Sequence, residues 1–349
     1  MASPYVMATL LLGLGLGTTI VFSSSHWLLA WMGLEMSTLA MVPLMARQYH
    51  PRAVEAATKY YLVQAAGATM LLFASTINAW LMGSWSIPLM TDPLTVNLIT
   101  LALALKMGLA PLHSWLPEVL QGLDLPTGLM LSTWQKLAPF TILLQLHPAN
   151  TTLLLTLGVA SLLIGGWGGL NQTQLRKLMA YSSIAHLGWM VIVLPFSPAL
   201  ALLTLLTYFV MTASTFLMFI TVEMATIASL ATTWTKSMAF TAIAPLILLS
   251  LAGLPPLTGF MPKWLILQEL IKQDLAPLAV IAALSALLSL YFYLRLVYAM
   301  TLTCLPKVIL GGGPWRLRPK RSFLPLTVLA LHTIMLLPLA PAMMALVAH

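Results

Sequence analysis

The chain has 349 residues, 60% of them hydrophobic and only 7% charged, with a mean hydropathy of +0.95. Soluble domains carry about 25% charged residues, so these values exclude the two water-soluble domains that length alone would suggest and describe a polytopic membrane protein. The net charge of +8 sits in short loops between apolar runs, which membrane topology explains without nucleic-acid binding.

A spanning helix needs about 20 mainly apolar residues. Eleven spans satisfy this, near residues 4–22, 25–46, 58–81, 93–119, 126–146, 151–169, 174–194, 199–224, 241–272, 276–304 and 323–346. No basic region precedes the first, so it reads as a retained helix and not as a signal peptide or presequence. Its Gly13, Gly15 and Gly17 follow no strand and therefore suggest close helix packing, not a dinucleotide fingerprint. The second span buries Glu35 near its middle and starts with the interfacial pair His26 and Trp27. The fourth contains Lys106, then Gly108-Leu-Ala-Pro-Leu-His-Ser-Trp-Leu-Pro117 with His113 inside it. Glu118, Asp124 and Glu223 fall near helix ends, as do Asp92 and Glu269 on the other side.

The fifth span places Lys136 about ten residues from either end, too deep for its ammonium to snorkel to water. The sixth ends in Gly165-Gly-Trp-Gly-Gly169, which allows close backbone approach. His186 lies on a polar face of the seventh, within Tyr181-Ser-Ser-Ile-Ala-His. The ninth carries Gly253-Leu-Pro-Pro-Leu-Thr-Gly-Phe-Met-Pro262 followed by Lys263. Arg295, in the tenth, is within reach of the interface, so snorkelling is as good an account as function. Cys304, the only cysteine, reads as a plain helix-end residue; one cysteine makes no disulfide framework, zinc site or thiolate-held iron–sulfur cluster. A polar loop over about 305–322 precedes the last span, which contains His332.

An odd number of spans puts the termini on opposite sides. Arg47, Arg52, Lys59, Arg176, Lys177, Lys236, Lys307, Arg316, Arg318, Lys320 and Arg321 then share the side of the N-terminus, and only Lys272 lies opposite. This asymmetry marks the N-terminal side as cytoplasmic or matrix.

The two motifs share the pattern G-L-x-P-L-x-x-aromatic-x-P, 145 residues apart. With five spans from one to the other they run in opposite directions, the signature of an inverted repeat. Each proline lacks an N–H and clashes with the preceding turn, so each motif predicts a helix break, tolerated in a membrane only where protein or a wet cavity surrounds it. A lysine stands beside each break.

A charge at mid-bilayer costs roughly 2.5–3.5 kcal/mol on an insertion scale. A chain that avoids charge would not keep Glu35, Lys106, Lys136 and Lys263 at depth without a use, and the default use is an ion or proton pathway. Desolvation and a nearby carboxylate push a lysine's proton affinity in opposite directions, which suits a proton relay. Glu35, the only acid deep in a span, is the natural partner for one lysine, Lys106 by hypothesis. His113 and His186 are further candidates to pass protons near neutral pH; His332 is a weaker one.

At these motifs the chain resembles the antiporter-like membrane subunits of respiratory complex I. The resemblance runs nearly end to end and is most specific at Ser25-His-Trp-Leu-Leu-Ala-Trp-Met-Gly-Leu-Glu35, Trp134-Gln-Lys-Leu-Ala-Pro139, Gly165 through Trp189, and Gly253 to Glu269. It implies an all-α fold of two inverted five-helix bundles, each with a broken helix: 1–147 and 148–304, with a basic matrix loop and a peripheral eleventh helix over 305–349. Family members usually have fourteen helices; eleven looks like the animal mitochondrial version, which lacks three at the N-terminus.

The resemblance also carries the proton-path roles onto Glu35, Lys106, Lys136 and Lys263. It implies a proton-translocating subunit of NADH:ubiquinone oxidoreductase in the mitochondrial inner membrane, with the N-terminus and basic loops in the matrix and the C-terminus toward the intermembrane space. NAD, FMN, iron–sulfur clusters and ubiquinone would belong to other subunits, leaving no cofactor here. Partners would be other membrane-arm subunits, including neighbouring antiporter-like ones, and lipids, with cardiolipin a candidate. Two alternatives stay open: a stand-alone cation/proton antiporter subunit, and a structural spacer without its own proton channel.

Overall fold

The computed structural model describes residues 3–47, 50–146, 150–233, 238–302 and 324–348. Lys236, Cys304 and the basic loop over 305–322, with Lys307, Arg316, Arg318, Lys320 and Arg321, lie outside the described residues. Among those residues the fold is all-helical, with two isolated β-bridges and no strand. The chain falls into two compact units, Met1–Ser161 and Leu162–His349.

The first unit opens with α1 (Pro4–Ser23) and α2 (Trp27–Met45). They cross where Gly17 meets Gly33: a Cβ on Gly17 would stand 2.7 Å from the Gly33 carbonyl oxygen and 2.8 Å from the Ser37 nitrogen. Without a side chain the backbones approach closely and gain dispersion contact in a medium that offers no hydrophobic drive. Gly17 alone of the three N-terminal glycines serves this purpose, since Gly15 faces open space and Gly13 makes an ordinary contact. Next, α3 (Pro51–Met82) begins well before the expected span, with Pro51 at its first turn and His50 Nδ1 accepting from Arg52 N at 3.2 Å. Proline suits a first turn because its missing N–H would be unpaired there anyway.

Both proline motifs break their helices. In the first unit α4 (Pro93–Met107) stops, residues 108–114 are non-helical, and α5 (Trp115–Gly122) resumes. In the second, α12 (Met238–Ala252) stops, 253–259 intervene, and α13 (Phe260–Lys272) resumes. Each break starts on a left-handed glycine, Gly108 at φ 78° and Gly253 at φ 81°. The next residue donates back across the cap, Leu109 N to Ala104 O at 2.9 Å and Leu254 N to Leu249 O at 3.3 Å. This is the Schellman closure, which needs the αL geometry that glycine adopts without strain.

A third break was not expected. The fifth span is not one helix but α6 (Leu125–Ser132) and α7 (Trp134–Gln145), parted at Thr133. The Thr133 hydroxyl donates to the Leu129 carbonyl at 2.7 Å, a back-bond of the kind that bends helices. Lys136 consequently sits in the first turn of α7, not at the centre of a continuous span.

The helix α8 (Thr151–Gly169) starts in the first unit and ends in the second, which then holds α9 (Leu175–Val193), α10 (Pro198–Val222), the short α11 (Ile227–Ala231), α12 and α13. After them come α14 (Ala276–Thr301), α15 (Leu324–Met335), a 3-10 turn at Leu337–Leu339 and α16 (Ala340–Ala348). The eleventh span is bent by 66° between Leu324–Met335 and Leu337–Ala345. Among the described residues six helices are long and apolar enough to cross a membrane unbroken: α1, α2, α3, α8, α10 and α14.

Each unit clips two of its loops together. Trp27 N donates to Trp85 O at 3.0 Å and Ile87 N to Ser25 O at 2.9 Å. In the second unit Leu175 N donates to Ala225 O at 3.1 Å and Ile227 N to Thr173 O at 3.2 Å. The loop before α2 is thus tied to the loop after α3, and the loop before α9 to the loop after α10. Unpaired backbone groups find partners there instead of meeting lipid.

Candidate functional site

Lys106 is the penultimate residue of α4 and is buried. The break removes the next turn, so the last carbonyls of α4 need other donors. Two buried side chains supply them. Gln64 Nε2, from α3, donates to the Lys106 carbonyl at 3.2 Å, and Trp115 Nε1 donates to the Leu105 carbonyl at 3.1 Å. Gly67 lets α3 lie against the Lys106 stem, where a Cβ would come within 3.0 Å of its Cγ. The Lys106 ammonium itself has no protein hydrogen-bond partner.

Lys136, 2% exposed, reaches the same place from α7. Lys106 and Lys136 line one cavity with Tyr60, Gln64, Trp115 and Gln135. About 10 Å³ of it is open to a water centre, which is room for about one water molecule. Gln135 Nε2 donates to the Ser37 carbonyl at 3.2 Å, tying the start of α7 to α2 just beyond Glu35. Glu35 is half-buried and accepts from the Thr38 hydroxyl at 3.4 Å. No ion pair of 4.0 Å or less joins it to Lys106. His113 lies within the first break, half-buried, its Nδ1 3.2 Å from the Pro111 carbonyl oxygen.

In the second unit Lys263 is also buried, and its ammonium donates to the Ala252 carbonyl at 2.7 Å. Ala252 is the last residue of α12, so this lysine caps the broken end of its own span. Lys263 and His186 line two cavities together, one with Trp189, Thr204 and Thr207, the other with Ser182, Ser289 and Tyr293. Each has about 10 Å³ for a water centre. No acid lines either one. The His186 ring lies 5.5 Å from that of Tyr208.

The structure therefore groups Lys106 with Lys136, places Glu35 near them, and groups Lys263 with His186. Tyr60, Gln64, Gln135 and Tyr293 join these cavities without having been singled out from sequence; a lone amide such as Gln64 in an apolar run is the available signal. Arg295 stands apart from the cavities: it donates to the Leu170 carbonyl at 2.8 Å, just past the end of α8. Lys59 pairs on the surface with Glu55 and Glu118, both at 2.8 Å.

A family model described as NADH:quinone oxidoreductase/Mrp antiporter, TM matches residues 24–289, and one described as NADH dehydrogenase subunit 2 C-terminus matches 290–344. The NADH-ubiquinone oxidoreductase chain 2 of Tetraodon nigroviridis is 66% identical over 344 residues, 99% of each chain. That of Gadus morhua is 62% identical, again over 99% of each. Among solved structures, a chain of respiratory complex I from Thermus thermophilus with bound aureothin superposes at a TM-score of 0.86 with 28% identity, covering 98% of this chain and 81% of that one. A chain of the Mrp complex from Dietzia superposes at 0.84 with 17% identity, over 97% and 76% of the two chains; at that identity the likeness is one of fold.

Proposed function

Because the chain belongs to the NADH:quinone oxidoreductase/Mrp antiporter membrane family and within it to the NADH-ubiquinone oxidoreductase chain 2 subunits, we propose that it contributes a proton-translocating relay to the membrane arm of that oxidoreductase. The subunit carries out no redox chemistry itself; NADH, flavin, iron–sulfur clusters and ubiquinone belong to other subunits, whose electron transfer supplies the driving force.

The relay runs through Glu35, Lys106, Lys136 and Lys263, with His113 and His186 as auxiliary carriers. One arrangement carries this assignment: Lys106 and Lys136, both buried, face a shared cavity sized for a single water. A water hydrogen-bonded to both could hand a proton from one ammonium to the other amine. Glu35 biases the Lys106 end by its charge and does not quench it in an ion pair. Lys263 and His186 make the corresponding station in the second unit, where a carbonyl and a histidine stand in place of a carboxylate.

Pairing α4 with α5, α6 with α7, α12 with α13 and α15 with α16, and leaving out the five-residue α11, gives eleven crossings among the described residues. The two breaks, spaced as their motifs are, and the two loop clips support an inverted repeat of five-helix bundles. The basic loops then face the matrix, and neighbouring membrane-arm subunits and lipids cover the outer faces.

The test is proton pumping per NADH oxidised in reconstituted complex carrying Lys136→Met, with assembly checked on a native gel. Reduced pumping in an intact complex is the expected result. Pumping at the normal ratio would favour a structural spacer.

A further inference from the structure

In the second unit the bent C-terminal helix reaches the break. The Thr258 hydroxyl donates to the Thr333 carbonyl at 2.6 Å, and both residues are fully buried. Thr258 lies inside the non-helical stretch 253–259, five residues before Lys263. Thr333 lies in the last turn of α15, two residues before the bend. Carbonyls in a last turn lose their in-helix donors, so the bend presents a free acceptor at the position of the Thr258 hydroxyl.

The first unit has a matching contact. The Ala110 amide, in the first break, donates to Ser161 Oγ at 2.9 Å, and Ser161 is buried on α8. In each unit the pinning helix comes after the broken pair with one further span between: α6 and α7 before α8, α14 before α15. Thr258 itself occupies the motif position that His113 fills in the first unit. The same place in the pattern is thus a half-buried histidine in one break and a latched hydroxyl in the other.

We infer that Thr258 is a positioning residue for Lys263. Its bond to the C-terminal helix holds the second break in register, so that the α12 end and the α13 start stay where Lys263 meets the Ala252 carbonyl and faces His186. The α15–α16 segment is then a working part of the second station. The inference rests on the reading of Lys263 as a relay member.

The test uses assembled complex with four variants: Thr258→Val, Thr258→Ser, Thr258→Ala and Lys263→Met. Thr258→Val keeps the shape and deletes the donor; Thr258→Ser keeps the donor. Proton-coupled quinone reduction and its pH profile are measured beside peripheral NADH–ferricyanide activity. Thr258→Val should lower coupled turnover about five-fold, the equilibrium factor set by one buried hydrogen bond, and displace the pH profile. Thr258→Ser should restore both, with ferricyanide activity unchanged throughout. Normal turnover and profile in Thr258→Val beside a defective Lys263→Met would overturn the latch alone. Normal turnover in Lys263→Met would overturn the relay reading with it. Failure of both the Val and Ala variants to assemble would make Thr258 a folding residue and likewise overturn the positioning role.

Discussion

Gln64 and Lys106 meet through the wrong end of the lysine: the amide takes the Lys106 carbonyl at 3.2 Å and leaves the ammonium without a protein partner. The contact repairs the backbone at the break and frees the charged group to face the cavity shared with Lys136. Gln64→Leu should leave the carbonyl buried and unpaired, which costs about 1–3 kcal/mol. The thermal midpoint of the assembled complex should fall, and proton-coupled quinone reduction should fall with it. An unchanged midpoint would mean that another donor replaces the amide.

Glu35→Gln removes a charge that stands in no ion pair of 4.0 Å or less with Lys106. With no ion pair to break, coupled turnover should slow several-fold and not vanish. Complete loss of coupled turnover in assembled complex would show that Glu35 carries the proton itself; no change would remove it from the relay.

The sequence was most legible where a physical conflict is written into it. Prolines inside apolar spans weaken helices, and Pro111 of the first motif and Pro255 and Pro256 of the second lie in the two breaks, whereas Pro43, Pro139 and Pro245 stay inside α2, α7 and α12. Lysines far from any interface must be buried in protein, and all three are. Thr133 was not legible, because the residues around it, Leu129-Met-Leu-Ser-Thr-Trp134, carry no proline or glycine. Nor was the company each lysine keeps. The Ala252 carbonyl that receives Lys263 is anonymous in sequence, since every residue has one, and Gln64 becomes meaningful only once α3 is known to lie against the end of α4. The distant charge of Glu35 likewise depends on where α2 lies relative to α4, which periodicity does not specify.

Lys59→Met is a contrasting case. Lys59 holds Glu118 of α5 and Glu55 of its own helix in a surface cluster, and exposed ion pairs contribute little because water and salt screen them. The thermal midpoint and coupled turnover should both stay near wild type. A large loss of turnover would mean that the pull on α5 is transmitted through the break to Lys106.

Gly108 and Gly253 give the sharpest comparison, because the two left-handed caps are alike in backbone and different in surroundings. At φ 78° and 81° an alanine pays about the same αL penalty in each, roughly 1–2 kcal/mol. A Cβ on Gly108 would meet the Trp115 ring at 3.4 Å and Leu116 Cβ at 3.5 Å, both ordinary contacts. A Cβ on Gly253 would stand 2.9 Å from the Lys263 ammonium and 3.0 Å from its Cδ. Lys263 would have to move off the Ala252 carbonyl to make room. Both variants should lose similar thermal stability, but Gly253→Ala should lose several-fold more proton-coupled turnover than Gly108→Ala. Equal turnover in the two, at equal assembly, would show that the position of the Lys263 ammonium does not govern the rate.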